Sequence, residues 1–364
     1  LKALVTGTGI YVPERVVSNQ EIAERLGLTP EQIFKSSGIH RRRWVDEGTR
    51  TSELAAHALR HALEDARLEA KDVDYLLMGT MTPDRFIPGS APSVQNQLGL
   101  GQIPCLDIRA TCCNALYGMQ LARALVQSGA ARHVAICLAE IQSAWLDLSQ
   151  ASGTISMLFG DGASALIVSA EDALDDDEDE RHALEILDVL LATDGAYVDD
   201  LGIRRPGTEF GVSSARSVEE ASASETEANV TEANITEASG TVASAGDTYA
   251  RMVGQSVILQ ASRKMVAACN ALLARNNLAV EDVQWLVPHQ ANANLLAQVG
   301  RALRFPPEWN GLVSVLEDFG NTSSASMGLA LDSLRRSGRI GEGDYLLLPA
   351  FGAGFTWGAG LCRA

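Results

Sequence analysis

Short apolar runs of strand length alternate along this chain with helix-like segments. The runs are LVTGTGI, DYLLMGT, IPCLDI and HVAICLA in the first half, then LEILDVLLAT, WLVP and DYLLLPA in the second. Such alternation predicts an α/β fold. The halves also resemble each other. EAKDVDYLLMGT (69–80) and AVEDVQWLVPHQ (279–290) share an approach of acid, Asp-Val, aromatic and then apolar residues. ALVQSGAARHVAICLA (124–139) and LRRSGRIGEGDYLLLPA (334–350) share a helix end, a Ser-Gly stop and a buried strand. An internal duplication is predicted, with units at 1–175 and 183–364 joined between residues 170 and 185. Residues 206–248, rich in Ser, Ala, Glu, Thr and Gly, fit neither unit and read as a low-complexity insertion.

Composition narrows the class. With 364 residues, 46% hydrophobic and 21% charged, the chain can bury a large core. No run approaches the roughly 20 apolar residues of a membrane span, and no signal-peptide layout is present, so a cytoplasmic protein is expected. The Asn229 and Asn234 sequons are therefore read as accidental. The formal charge of -17 argues against nucleic acid as a partner. Residues 171–180 hold eight acids and 219–237 six more, which leaves about -3 elsewhere, so the acidity belongs to two solvated segments. Six scattered cysteines show no CxxC pair or His/Cys cluster, and no metal site is expected.

Three corners of the chain carry candidate chemistry. In CLDIRATCCNALYGM (105–119), Cys112 should open a buried helix, where first-turn amides and the helix dipole stabilise a thiolate. A structural cysteine is the competing reading, and spacing alone does not choose between Cys112 and Cys113. WLVPHQANANLLAQVGRAL (285–303) puts His289 at the carboxyl edge of a strand, where ligands of α/β sheets gather; a structural histidine is the alternative. In VSVLEDFGNTSSASMG (313–328) an apolar strand breaks at Gly320-Asn321; Asn321 is either a turn former or a neutral amide donor to an enolate oxygen. Gly352, Ala353 and Gly354 form a loop between two strands, where backbone N–H groups can approach a ligand.

Together these segments resemble the β-ketoacyl-acyl-carrier-protein synthase III family of thiolase-fold condensing enzymes. TGTGIYVPERVVSN, SSGIHRRRW, LDIRATCCNALYG, LFGDGASAL, LVPHQAN, FGNTSSAS and AFGAGFTWG appear in the family's order over nearly the whole chain. The resemblance implies a thiolase-like five-layered α-β-α-β-α fold of two pseudo-repeated halves, normally a homodimer. It implies Cys112, five residues after Asp107, as the acyl-accepting nucleophile, with His289 and Asn321 as the other catalytic positions. It further implies an oxyanion hole at Gly352–Gly354, and Ile87, Asn292 and Gly254 as substrate contacts.

The activity so implied has two halves. Cys112 takes an acyl group from acyl-CoA or an acyl-carrier protein. A malonyl thioester then loses carbon dioxide, and its carbanion attacks the acyl carbon, with His289 and Asn321 holding the enolate oxygen. No metal or redox cofactor is needed. Departures bear on the donor: Gln32, Ser36 and Ser152 stand where the family usually binds CoA, and Asn294 and Leu259 replace basic residues of the carrier-docking patch, for which Arg301 and Arg304 can substitute. They imply a specialised member, of the kind found in secondary metabolism, loaded from a carrier protein or an unusual CoA thioester. Arg85, beside Ile87, reads as an exposed loop residue or as a partner for an acidic acyl tail. Two other functions compete: handing the Cys112 acyl group to an alcohol or amine, with His289 as general base, and a silent subunit that shapes a neighbour's pocket.

Overall fold

The computed structural model describes residues 1–174, 183–204, 249–252 and 254–364. The acidic run from residue 175, most of the expected join, and the 206–248 segment with Asn229 and Asn234 lie outside the described residues.

The principal strands are β1 (Ala3–Tyr11), β2 (Tyr75–Gly79), β3 (Cys105–Ile108), β4 (His133–Glu140), β5 (Gly162–Ala170), β6 (Leu184–Thr193), β7 (Val283–Leu286), β8 (Tyr345–Gly352) and β9 (Thr356–Arg363). Hydrogen bonding orders them β7-β8-β9-β6-β1-β5-β4-β2-β3. The first half thus runs β1-β5-β4-β2-β3. The second runs β6-β9-β8-β7 and then a parallel bridge from Leu286 to Leu312. Within each half the first strand pairs antiparallel with the fifth, the fifth antiparallel with the fourth, and the fourth parallel with the second. The halves meet where β1 and β6 share two residue pairs, Leu4 with Glu185 and Val5 with Leu184.

Because successive strand residues face opposite sides, apolar runs of this kind must be covered on both faces. On β4, Val134, Ile136 and Leu138 enter the central core, while Ala135, Cys137 and Ala139 enter an outer one. On β8, Leu346, Leu348 and Ala350 face the centre, and Leu347 and Phe351 face the opposite outer core. Helices α1 (Thr51–Ala66) and α2 (Ala91–Leu98) cover the first sheet half from outside. Helices α4 (Gly254–Arg275) and α5 (Ala293–Leu303) cover the second, while α3 (Asn114–Gln127) and α6 (Ser326–Arg336) fill the middle. The result is the five-layered α-β-α-β-α arrangement.

Matching details recur at the residue level. The Asp72 carboxylate accepts the Glu69 N–H at 2.8 Å ahead of β2, and Asp282 accepts the Ala279 N–H at 2.8 Å ahead of β7. The central helices are each entered through a 3-10 turn, Thr111–Cys113 and Ser323–Ala325, whose first residue is left-handed: φ is 54° at Thr111 and 50° at Ser323.

One expected strand is absent. VSVLEDF follows a single bridge at Leu312 and itself forms only a helical turn, Leu316–Phe319. Here the Gln290 side chain, rather than a neighbouring strand, takes the Val315 N–H at 3.1 Å.

Candidate active site

Cys112 sits in the turn between β3 and α3, two residues before Asn114, which opens the helix. Its neighbours hold that turn against the β8–β9 hairpin. The Thr111 hydroxyl donates to the Ala353 carbonyl at 3.0 Å, and the Cys113 thiol donates to the Thr356 carbonyl at 3.3 Å. Cys113 is fully buried, whereas Cys112 lines a cavity of about 380 Å³ together with Met81, Gln142, Phe159, Ser323 and Ala353. Of the two cysteines, Cys112 is the one that reaches the cavity.

Ser323 is the hub of the site. Its hydroxyl lies 3.6 Å from the Cys112 sulfur, and its N–H donates to Asn321 Oδ1 at 2.8 Å. Because that partner is a donor, the amide oxygen must face it, leaving both Nδ2 hydrogens for another acceptor. Asn321 is placed by the LFGDG motif: its N–H donates to the Leu158 carbonyl at 2.8 Å, and its carbonyl accepts the Gly160 N–H at 3.1 Å. The buried Asp161 carboxylate fixes that motif by accepting from Val45 N–H at 2.9 Å and Ser143 N–H at 2.8 Å.

His289 follows β7 and is buried; its N–H donates to the Pro349 carbonyl at 2.9 Å. Ser326 Oγ accepts the Gln290 N–H at 3.1 Å and lies 2.7 Å from His289 Nδ1. With the Ser326 hydroxyl donating to Nδ1, one of the two tautomers this pairing allows, the ring hydrogen sits on Nε2. The turn at 321–326 therefore contacts the sulfur, the amide and the imidazole together.

Burial governs the protonation of these groups. It pushes the Cys112 thiol up to about 12; the Ser323 hydroxyl opposes the rise and the Glu140 carboxyl adds to it. That direction is opposite to the lowering expected of a helix start, because one hydroxyl and the local N–H group do not offset desolvation. His289 is pulled down to about 4 by burial, against the opposing influence of the Ser323 main chain, so the ring is neutral near pH 7.

The remaining candidates divide. Gly352 is pressed against Cys112: a Cβ there would lie 2.8 Å from Cys112 N and 2.2 Å from Thr111 Oγ1. Ala353 lines the cavity, and Gly354, at φ 76°, makes the hairpin turn. Asn292, expected as a substrate contact, caps helix α5. Its Oδ1 accepts from Asn294 N–H at 2.8 Å and its Nδ2 donates to the Ser36 carbonyl at 2.9 Å, so both ends of the amide are engaged. Ile87 is 79% exposed and does not line this chain's cavity; Phe86 and Arg85 beside it do. Gly254 is the first residue of α4. Sequence reasoning missed Ser323, Ser326 and Glu140. The hydroxyl-rich run Thr-Ser-Ser-Ala-Ser after Asn321, in otherwise apolar surroundings, was the available signal.

Comparison with known proteins follows this geometry. Residues 106–195 match the family model for 3-oxoacyl-[acyl-carrier-protein] synthase III, residues 273–364 the model for its C-terminal part, and residues 32–145 that for the thiolase N-terminal domain. The beta-ketoacyl-[acyl-carrier-protein] synthase III of Nitratidesulfovibrio vulgaris is 37% identical over 99% of this chain and 98% of its own. Among solved structures, the 3-oxoacyl-[acyl-carrier-protein] synthase III of Aquifex aeolicus VF5 has a TM-score of 0.81 at 28% identity, covering 100% of both chains. The priming β-ketosynthase of the R1128 polyketide pathway has a TM-score of 0.82 at 29% identity, covering 99% of this chain and 96% of its own. In fold, in motif order and in full-length similarity, this chain belongs to the 3-oxoacyl-[acyl-carrier-protein] synthase III family of thiolase-fold enzymes.

Proposed function

We propose that the protein is a condensing acyltransferase that carries an acyl group on Cys112 and joins it to a malonyl thioester with loss of carbon dioxide. The observation that carries this reading is that Ser323, which lines the cavity with Cys112, lies against the Cys112 thiol and the Asn321 amide and bears through its main chain on the neutral His289 ring, the amide and the ring lying behind it rather than on the cavity wall. Acylation breaks the donor's thioester and forms a new one on Cys112; the thiol proton leaves with the departing thiol. The carbonyl oxygen is held by main-chain N–H groups of Cys112 and the Gly352–Gly354 turn. In the second half, the malonyl carboxylate departs as carbon dioxide and its electron pair becomes an enolate, whose oxygen accepts from His289 Nε2–H and Asn321 Nδ2–H. The enolate carbon attacks the acyl carbon and expels the Cys112 thiolate, giving a 3-oxoacyl thioester two carbons longer.

A ring pulled down to about 4 is a weak proton acceptor but a sound neutral donor, which favours condensation over acyl transfer to an alcohol or amine. Cys112 would come from a unit spanning 1–175, and His289 and Asn321 from a unit spanning 183–364. An acyl-CoA or acyl-carrier protein supplies the acyl group, and a carrier protein the malonyl group, in the cytoplasm. A homodimer is supported by the edge position of β3 and the exposed Leu106 on it, with Ile87 then facing the partner.

Intact-protein mass spectrometry with a panel of acyl-CoAs and acyl-carrier proteins tests the first half, and carbon dioxide release from a malonyl thioester the second. An acyl mass that persists in Cys112→Ala, or product formed without carbon dioxide release, would defeat the proposal.

A further inference from the structure

The scheme above leaves one buried carboxyl without a role. Glu140 ends β4 beneath the site, is 0% exposed, and pairs with no cation among the described residues. All its close partners are neutral donors. Oε1 accepts the Ser324 hydroxyl at 2.6 Å; Oε2 accepts the Thr82 hydroxyl at 3.0 Å and the Met81 N–H at 3.1 Å. The Thr80 hydroxyl and the Gln142 amide nitrogen each lie 3.4 Å from Oε2.

These partners belong to the parts that shape the site. Met81 and Gln142 line the cavity, and Ser324 adjoins Ser323, whose left-handed conformation brings its hydroxyl to the Cys112 sulfur. A non-glycine residue keeps φ near 50° only where its surroundings hold it there. The 2.6 Å bond one residue away is such a hold, since a hydroxyl bound to a carboxylate is shorter and stronger than one bound to a neutral acceptor.

We propose that Glu140 is a positioning residue whose carboxylate ties the cavity wall to the turn facing Cys112 and whose negative charge restrains the reactivity of the sulfur. The inference rests on the reading of Cys112 as nucleophile. The other ionisable groups around that sulfur are Cys113 beside it, His289 behind Ser323, and Asp84, Arg85 and Arg109 around the cavity. Those facing Glu140 itself are the neutral donors already named and the Cys112 thiol.

The test compares the unaltered protein with Glu140→Gln and Ser324→Ala. It follows iodoacetamide labelling of Cys112 against pH by mass spectrometry, alongside condensation with a malonyl thioester. Glu140→Gln should move the labelling profile down by roughly one pH unit, about ten-fold faster labelling below the midpoint, while slowing condensation. Ser324→Ala keeps the charge but cuts the tie, so condensation should fall about ten-fold with the labelling midpoint not lowered. A Glu140→Gln profile that superimposes on that of the unaltered protein overturns the restraint by charge. Unchanged condensation in Ser324→Ala overturns the tie, and that variant decides the matter should Glu140→Gln not fold. Labelling that survives Cys112→Ser would instead refute the nucleophile assignment, whatever the Glu140 results.

Discussion

A methyl group added at position 352 would meet Thr111 Oγ1 at 2.2 Å and Cys112 N at 2.8 Å, and neither atom belongs to a side chain free to swing away. Thr111 is held in a left-handed conformation by its bond to Ala353, and Cys112 N is main chain. Relief must therefore come from moving Cys112 relative to the hairpin. Gly352→Ala should lower the rate of acylation by roughly 100-fold and stability by about 1–3 kcal/mol. Single-turnover acylation with denaturant melts checks this; a rate within a few-fold of the unaltered protein would show that the hairpin yields instead. At this scale the sequence was informative about which residue types do the chemistry and silent about their hold on one another. Cys112, His289 and Asn321 each announce themselves at a strand end. That one serine, Ser323, touches or faces all three depends on a left-handed residue that no periodicity reveals.

Elements were legible where burial is two-sided. The runs HVAICLA and DYLLLPA became β4 and β8 because alternate side chains fill two different cores. VSVLEDF was misread because an apolar run at a sheet edge can be satisfied by side chains instead of a strand partner, as Gln290 does for Val315. Asn292 illustrates the same limit. A polar residue before a helix fits a ligand contact and a cap equally well in sequence, and the distances to Asn294 and Ser36 are what reveal the cap. Asn292→Ala should cost about 1 kcal/mol of stability through loss of the cap. It should leave the KM for the acyl donor within about two-fold, since an amide already bonded at both ends has little to give a ligand. A ten-fold rise in KM without loss of stability would restore the substrate role.

For the molecule as a whole, two buried groups at the site set opposing dependences on pH. Glu140 is raised from 4.5 to about 7, so its contribution is fully present below about 4.5 and is lost as pH rises through about 7. His289 is lowered from 6.5 to about 4, so its contribution is present above about 6.5 and is lost as pH falls through about 4. Each shift corresponds to an effect on the order of 3 kcal/mol. Asp161, raised from 3.8 to about 6, acts in the same sense as Glu140 but over a lower window. Urea unfolding between about pH 6 and 7 should therefore show a loss of stability that Glu140→Gln removes. A slope that persists in that variant would mean that another group, and not Glu140, sets the dependence.

The matched turns that open the two central helices also speak to origin. Cys112 and Ser324 are each the second residue of such a turn, after Thr111 and Ser323 respectively. An ancestral gene encoding one half would have yielded twin chains with the same group at both places. Within one polypeptide the two places are free to differ, and here one carries sulfur at the cavity and the other a hydroxyl turned inward to a carboxyl. Asymmetry of that kind is closed to a pair of identical halves, since any change in one is copied into the other.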